Sequence, residues 1–313
     1  MKTTIAIDIG GTQMRAASYS LDHTEPVKIN RIATRGEGQT IEERLTNLIQ
    51  SVWPKKKDAE VLSIAAASPG PLNPKKGLVL ETPNIPEWRD FPLRAHIKDH
   101  FHVPTQIGND ANLAALGEWK FGAGIGHENL IYLTISTGIG GGIISEGKLL
   151  SGVNGMGGEL GHVTVLPDGP LCGCGQRGHL EAVASGPSIT RWVKGQLEAG
   201  KSSRLRGSED LTAEKIAQVA DGGDELARNA FQRAGVFIGH AIADYLHIFN
   251  PSLVVIGGGV SQAGALLFNP IQASIPERLM SPAYLEDVQI TKAKLGDDVG
   301  LMGALALSRD MLS

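Results

Sequence analysis

Strand-like and helix-like segments alternate along the whole chain, which predicts an α/β fold. Three observations carry that expectation. Short β-rich runs end in glycine clusters around Gly10-Gly11, Gly138–Gly142 and Gly257–Gly259. The segment Ile41–Val52 repeats apolar residues (Ile41, Leu45, Leu48, Ile49, Val52) at helical spacing. One strand–glycine turn–strand unit occurs twice, so the architecture reads as an internal duplication despite low sequence identity between the copies.

Taken in order, Thr3–Ile9 is a strand, Gly10-Gly11-Thr12 a turn, and Met14–Ser20 and Val27–Ala33 two further strands. The helix at Ile41–Val52 leads to a buried strand, Val61–Ala67, which stops at Ser68-Pro69-Gly70-Pro71. Phe91–His100 reads as a helix, Thr105–Gly108 as a strand and Ala111–Phe121 as a helix. The N-terminal grammar then returns: strand Leu130–Ser136, glycine turn Thr137–Gly142, strand Ile143–Leu150. Ser188–Leu197, Ala213–Ala220 and Asp224–Phe249 carry helical patterns. Strand Leu253–Ile256 runs into Gly257–Val260, before a helix at Ala263–Met280, a strand at Val288–Thr291 and a small-residue helix at Gly300–Arg309. The expected division is a small α/β domain over 1–115 and a larger one over 116–299, with the terminal segment 300–313 crossing back.

At about 150 residues per domain, 313 residues suit two domains or one large one. A hydrophobic fraction of 42% and a charged fraction of 20% fit a soluble globular protein with a substantial core. The net charge is −4, and Lys55-Lys56-Lys57 reads as a solvated loop, so nucleic acid and anionic membranes are poor partners. No apolar stretch approaches the ~20 residues of a membrane span. The N-terminus enters a strand pattern without the features of a secretory signal. Two cysteines separated by one residue would form a badly strained disulfide, which fits a reducing cytoplasm.

Both cysteines fall in one cassette, in which Glu159-Leu160-Gly161-His162 is followed by Cys172-Gly173-Cys174 and then His179-Leu180-Glu181. His162, Cys172, Cys174 and His179 form a chemically sufficient Cys2His2 set for tetrahedral zinc, against the plainer reading of buried thiols and hydrogen-bonded histidines. Upstream, the turn Asp8-Ile9-Gly10-Gly11-Thr12 with Arg15 offers backbone N–H groups, a hydroxyl and a cation to phosphate, and a carboxylate to hydrated Mg²⁺. An ordinary hairpin is the bland alternative. Two further glycine turns, at Thr137-Gly138 and Gly258-Gly259, also follow strands, and the three together favour a nucleoside triphosphate. Gly122, Gly124 and Gly126 follow a helix rather than a strand and read as a loop.

Asn109-Asp110 stands where a strand ends and a helix opens. Helix capping and general-base catalysis both suit this pair, with Asn109 capping and Asp110 taking a proton from a hydroxyl that attacks a γ-phosphate. Glu159, His162 and Glu181, together with Asn84, could meet the hydroxyls of a polyol. If His162 gives one ring nitrogen to zinc, its other is free to face a ligand or acceptor.

These motifs resemble the ROK family (repressor, open reading frame, kinase), particularly its bacterial glucokinase branch, over essentially the full length. The paired Glu159–His162 and Cys172–Glu181 segments are specific to that family; single glycine turns are not. The resemblance implies an actin-like, ribonuclease H-like fold with two α/β domains around a nucleotide- and sugar-binding cleft. It implies Asp110 as catalytic base, and a sugar held by Gly70, Asn84, Asn109, Glu159, His162 and Glu181. ATP with Mg²⁺ would lie on Asp8, Gly10, Gly11, Thr12, Arg15, Thr137, Gly138, Gly258 and Gly259. Hexose phosphorylation follows, with glucose at O6 as the first expectation and N-acetylhexosamines, fructose, mannose or allose behind it. A catalytically silent sugar sensor is the alternative of another class. A homodimer is expected. DNA binding is not, because the phosphate turn begins at residue 8 and leaves no room before it for the repressors' helix-turn-helix domain. One departure stands out: His179 occupies a position where the family usually has a third cysteine. A zinc site there is retained with adjustment, weakened or lost.

Overall fold

The computed structural model describes residues 1–55 and 59–312; Lys56 and Lys57 of the expected solvated loop, and Ser313, lie outside them. The chain opens with β1 (Lys2–Ile9), β2 (Gln13–Ser20), β3 (Pro26–Ala33), α1 (Ile41–Val52) and β4 (Glu60–Ser68). Three short strands follow, β5 (Leu72–Asn73), β6 (Leu78–Glu81) and β7 (Arg89–Phe91), then α2 (Leu93–Phe101), β8 (Thr105–Asn109) and α3 (Asp110–Phe121). The second half contains β9 (Leu130–Ile135), β10 (Ile139–Ser145), β11 (Lys148–Leu149) and α4 (Leu180–Ala184). It continues with α5 (Gly186–Glu198), α6 (Ala213–Asp221), α7 (Glu225–Phe249), β12 (Leu253–Gly257), α8 (Ala265–Ser274), β13 (Gln289–Lys292) and α9 (Val299–Asp310).

The two large sheets share one plan. The first runs β3-β2-β1-β4-β8 and the second β11-β10-β9-β12-β13, each with an antiparallel hairpin side and a parallel side. The duplicated grammar of the sequence is therefore a duplicated topology. In the first sheet, Ile5, Ile7 and Ile9 face α1 and α2, while Ala6, Ala65 and Ala67 face α3 and α9. Small residues on that second face let the two helices lie close to the sheet. In the second sheet, Ile131, Leu133 and Ile135 face the α4–α8 layer, and Leu130 and Tyr132 pack on Ala114 and Ala115 of α3.

Helix α3 is thus shared between the two sheets, and α9 crosses back onto it. At their crossing a Cβ on Gly117 would stand 2.8 Å from the Gly303 nitrogen, so the backbones themselves touch. Helix α1 starts where Thr40 and Glu43 form a reciprocal capping box, with Thr40 Oγ1 accepting from the Glu43 N–H.

Several boundaries differ from the periodicity reading. The expected helix Phe91–His100 begins at Leu93, because Arg89–Phe91 pairs with β6 and Pro92 caps the helix. The expected strand Ile143–Leu150 is broken by a turn at Glu146-Gly147, where Glu146 has φ 51°. Gly140–Gly142 belong to β10 rather than to a turn: a Cβ on Gly140 or Gly142 would reach 2.9 Å from Ala111 Cβ or 2.5 Å from Ala115 Cβ, so these two admit α3, while Gly141 makes room for Leu160 on the other face. The expected helix Ala263–Met280 shortens to α8, since Gly264 (φ 57°) interrupts its start and a 3-10 turn at Ile275–Glu277 follows its end. The third sheet, β5-β6-β7, was not read from its short strands.

Candidate active site

Each sheet delivers its functional groups at one end of its central strands. Strand β8 ends at Asn109, whose Oδ1 accepts from the N–H groups of Ala111 (3.0 Å) and Asn112 (3.1 Å) and so caps α3. Asp110 follows, with Oδ1 accepting from the Ala111 N–H at 2.8 Å. It is open to solvent, but the surrounding protein desolvates it and pushes its carboxyl up to about 6. The Ala111 hydrogen bond opposes that shift, and the charges of Asp8 and Glu159 add to it. Gly70, at the cis Gly70–Pro71 bond after β4, is adjacent: a Cβ there would lie 3.0 Å from Asn109 Nδ2.

Asp8, near the end of β1, faces α9, where a Cβ on Gly300 would stand 2.6 Å from Asp8 Cγ. Arg15, expected to offer its charge to phosphate, is instead buried and committed to protein. Its Nη2 and Nε donate to Asp8 Oδ2 at 2.6 and 3.2 Å, its Nη1 to Asp298 Oδ1 at 3.3 Å, and Nη2 also to the Asp297 carbonyl. β2 pairs Arg15 opposite Asp8, and the register turns the cation toward the carboxylate. Gly10, Gly11 and Thr12 form the β1–β2 turn, and a Cβ on Gly11 would meet the Asn84 carbonyl oxygen at 2.9 Å. The Asn84 loop therefore lies directly on the turn.

The other side of the site comes from the cassette. Glu159 is exposed, and His162 Nε2 lies 4.0 Å from its Oε2. His162 Nδ1 points the opposite way, 3.3 Å from His179 Nδ1 and 3.7 Å from Cys172 Sγ. Cys174 Sγ is 3.2 Å from His179 Nδ1, and all four donor atoms fall within 4.8 Å of one another. Tetrahedral zinc would hold two nitrogens about 3.3 Å apart and a sulfur and nitrogen about 3.6 Å apart, given its usual bond lengths. Two of the three separations match, and the third is a few tenths of an ångström short. Both thiols are free, and burial, its largest cause, pushes that of Cys172 up to about 11.

Glu181, expected at the sugar, uses Oε2 to accept from the Ile139 N–H (3.0 Å) and Oε1 to accept from the Cys172 thiol (3.4 Å). It ties the cassette to the Thr137-Gly138 turn. Ser136 and Thr137 meet Gly259 and Val260 in a cavity of about 1220 Å³, walled by Pro187, Thr190, Leu211 and Ala213. That lining, drawn from α5 and the start of α6, is mostly apolar and was missed in the sequence, where it reads as ordinary helix surface. Asn112 was also passed over. It is buried, its Nδ2 donates to the Gly157 carbonyl at 3.0 Å, and it thereby holds the segment that leads to Glu159.

A model of the ROK family matches residues 4–311. The chain belongs to the ROK family. A glucokinase of Thermotoga maritima is 35% identical over 312 residues, covering 98% of both chains. A xylose repressor of Caldicellulosiruptor bescii is 34% identical over 257 residues, 81% of this chain and 64% of the repressor. The crystal structure of a ROK family glucokinase from Streptomyces griseus in complex with glucose and AMPPNP superposes with a TM-score of 0.81 at 34% identity. It covers 98% of this chain and 99% of that one. These ROK relatives share the actin-like fold, to which the paired five-stranded sheets conform. No helix among the described residues is long and apolar enough to cross a membrane.

Proposed function

We propose that this ROK protein is an ATP-dependent hexose kinase that phosphorylates glucose at O6. The observation that carries the reading is the carboxyl of Asp110, exposed at the head of α3 and held near neutrality by its surroundings. A base with such a value is mostly ionised at neutral pH and still basic enough to accept a hydroxyl proton as the γ-phosphoryl group departs. Similarity to glucokinases over nearly the full length supports the substrate class.

In this reading Asn84, Asn109, Glu159, His162 and Gly70 surround the sugar. The apolar cavity between α5, α6 and Gly259 takes the adenosine, with Thr137 and Gly138 at its phosphate end. The Gly10-Gly11-Thr12 turn faces the transferring phosphoryl group with backbone N–H groups. Arg15 holds Asp8 through Oδ2, which leaves Oδ1 to receive the Mg²⁺ that accompanies ATP and offsets phosphate charge. His162, Cys172, Cys174 and His179 would hold a structural zinc, which would cross-link the loop and keep both cysteines as thiolates. With Nδ1 directed at that cluster, His162 keeps Nε2 toward Glu159 and the sugar.

ADP release measured across hexoses and N-acetylhexosamines with Mg²⁺ tests the reading. Turnover confined to glucose is the expected result. Preference for an N-acetyl sugar would keep the chemistry and replace the substrate. Similarity to xylose repressors supports a second reading, a sugar sensor without turnover; sugar-induced thermal stabilisation without ADP release would select it.

A further inference from the structure

We propose that Arg35 is a positioning residue that clamps the phosphate turn to the sugar loop, so that both substrates meet a preformed site. The inference rests on the kinase reading. Arg35 lies two residues past the end of β3, and its one guanidinium reaches two other segments, the Gly11 turn and the Asn84–Glu87 loop. Its Nε and Nη2 donate to Glu87 Oε1 and Oε2, both at 2.7 Å. Its Nη1 donates to the Gly11 carbonyl at 3.0 Å, and Nη2 also donates to the Asn84 carbonyl at 3.2 Å. Gly11 belongs to the turn assigned to phosphate, and Asn84 to the loop assigned to sugar.

The backbone that presents Arg35 is itself held. Arg44 of α1 donates twice to the Ala33 carbonyl, at 3.0 and 2.8 Å, and the Thr34 N–H donates to the Thr12 carbonyl at 2.9 Å. Thr34 Oγ1 donates to the Gly10 carbonyl. The turn is thus gripped through the carbonyls of Gly10, Gly11 and Thr12, and the Gly10 N–H closes it by donating to the Gln13 carbonyl at 2.9 Å. Glu87 fixes the guanidinium plane through a bidentate pair, a geometry lysine cannot reproduce. The Arg35–Glu87 pair is about half exposed, and exposed ion pairs add little to stability. Its use is therefore in placement: pinning two loops before binding removes an ordering cost from each substrate.

The test compares wild type, Arg35→Ala, Arg35→Lys and the charge swap Arg35→Glu/Glu87→Arg. For each, kcat and KM for glucose and ATP are measured, with calorimetric Kd values for glucose and AMPPNP and a melting temperature. Arg35→Ala is expected to melt within about 2 °C of wild type while KM and Kd for both ligands rise about tenfold. Arg35→Lys falls between. The swap regains the ion pair but not the donors to Gly11 and Asn84, so its constants stay with those of Arg35→Ala. Wild-type constants in Arg35→Ala, or their recovery in the swap, would overturn the clamp. A wild type that binds both ligands without turnover removes the kinase reading alone, because the Kd comparison still decides the clamp. A wild type that binds neither removes both.

Discussion

At the scale of the residue, Asp110 joins two roles that usually compete. Its backbone opens α3, while its side chain remains accessible beside Asp8 and Glu159. Because the raised value near 6 belongs to the free protein, kcat/KM should fall tenfold per pH unit below about 6 and level off above it. Asp110→Asn should lower turnover by about 10²–10⁴-fold and largely spare the Kd for glucose. Activity above about 1% of wild type would remove Asp110 as the base. The same shift carries a stability signature. A carboxyl raised on folding favours the native state below its unfolded value near ~3.9 and loses that contribution as pH rises through about 6. Asp110→Asn should therefore melt higher than wild type at pH 8, with the gap closing by pH 4. An equal gap at both pH values would show that desolvation does not govern this group. Asn109 was legible as the cap because a strand end meets a helix start there; the same position suggested Asp110 as the base proposed above. The role of Arg15 was not legible, since only the β1–β2 register shows that it faces Asp8.

At the scale of the element, the cassette from Glu159 to Glu181 has little regular structure: a 3-10 turn at Leu160–His162, isolated bridges and the short α4. Backbone hydrogen bonds such as Val165 N–H to the Gly178 carbonyl and Cys172 N–H to the Gln176 carbonyl fold it, and side chains add to them, with His162, Cys172, Cys174 and His179 converging and Glu181 linking Cys172 to the Ile139 N–H. A bound zinc would stabilise the Cys172 thiolate, which burial disfavours. Purified protein should hold about one zinc per chain by elemental analysis, and Cys172→Ser/Cys174→Ser should hold none and bind glucose more weakly through His162 and Glu159. Equal metal content in the two proteins would exclude the four-residue site. The convergence was readable from ligand types in one short stretch. The orientation of His162, with one nitrogen toward each neighbour, was expected only as a condition of metal binding and needed the fold around Leu160 to be seen.

At the scale of the whole molecule, α3 and α9 join the two halves. Their backbones meet at Gly117 and Gly303, and a Cβ on Gly303 would overlap the Leu113 carbonyl. Gly303→Ala should force the helices apart and cost about 1–3 kcal/mol, seen as a melting temperature several degrees lower. A melting temperature unchanged from wild type would show that the crossing yields without strain. Glu118 reinforces the same junction, since its buried carboxylate accepts from the N–H groups of Lys294, Leu295 and Ala123. The loop it holds carries Asp297 and Asp298, which in turn hold Arg15 and, through it, Asp8. The path from the helix junction to Asp8, at the end of β1, is thus a continuous set of hydrogen bonds.

By itself the sequence determined the α/β class, the repeated strand–turn–strand unit, most long helices and the convergence of His162, Cys172, Cys174 and His179. Those features depend on local periodicity, turn chemistry and residue type, which neighbouring positions in the chain suffice to express. Tertiary structure alone decided the pairing of Arg15 with Asp8, the placement of Gly140 and Gly142 against α3, the cavity over Gly259 and the hydrogen bonds of Arg35 to Gly11, Asn84 and Glu87. Each depends on contacts between segments far apart in the chain, where register and packing, rather than composition, choose the partner.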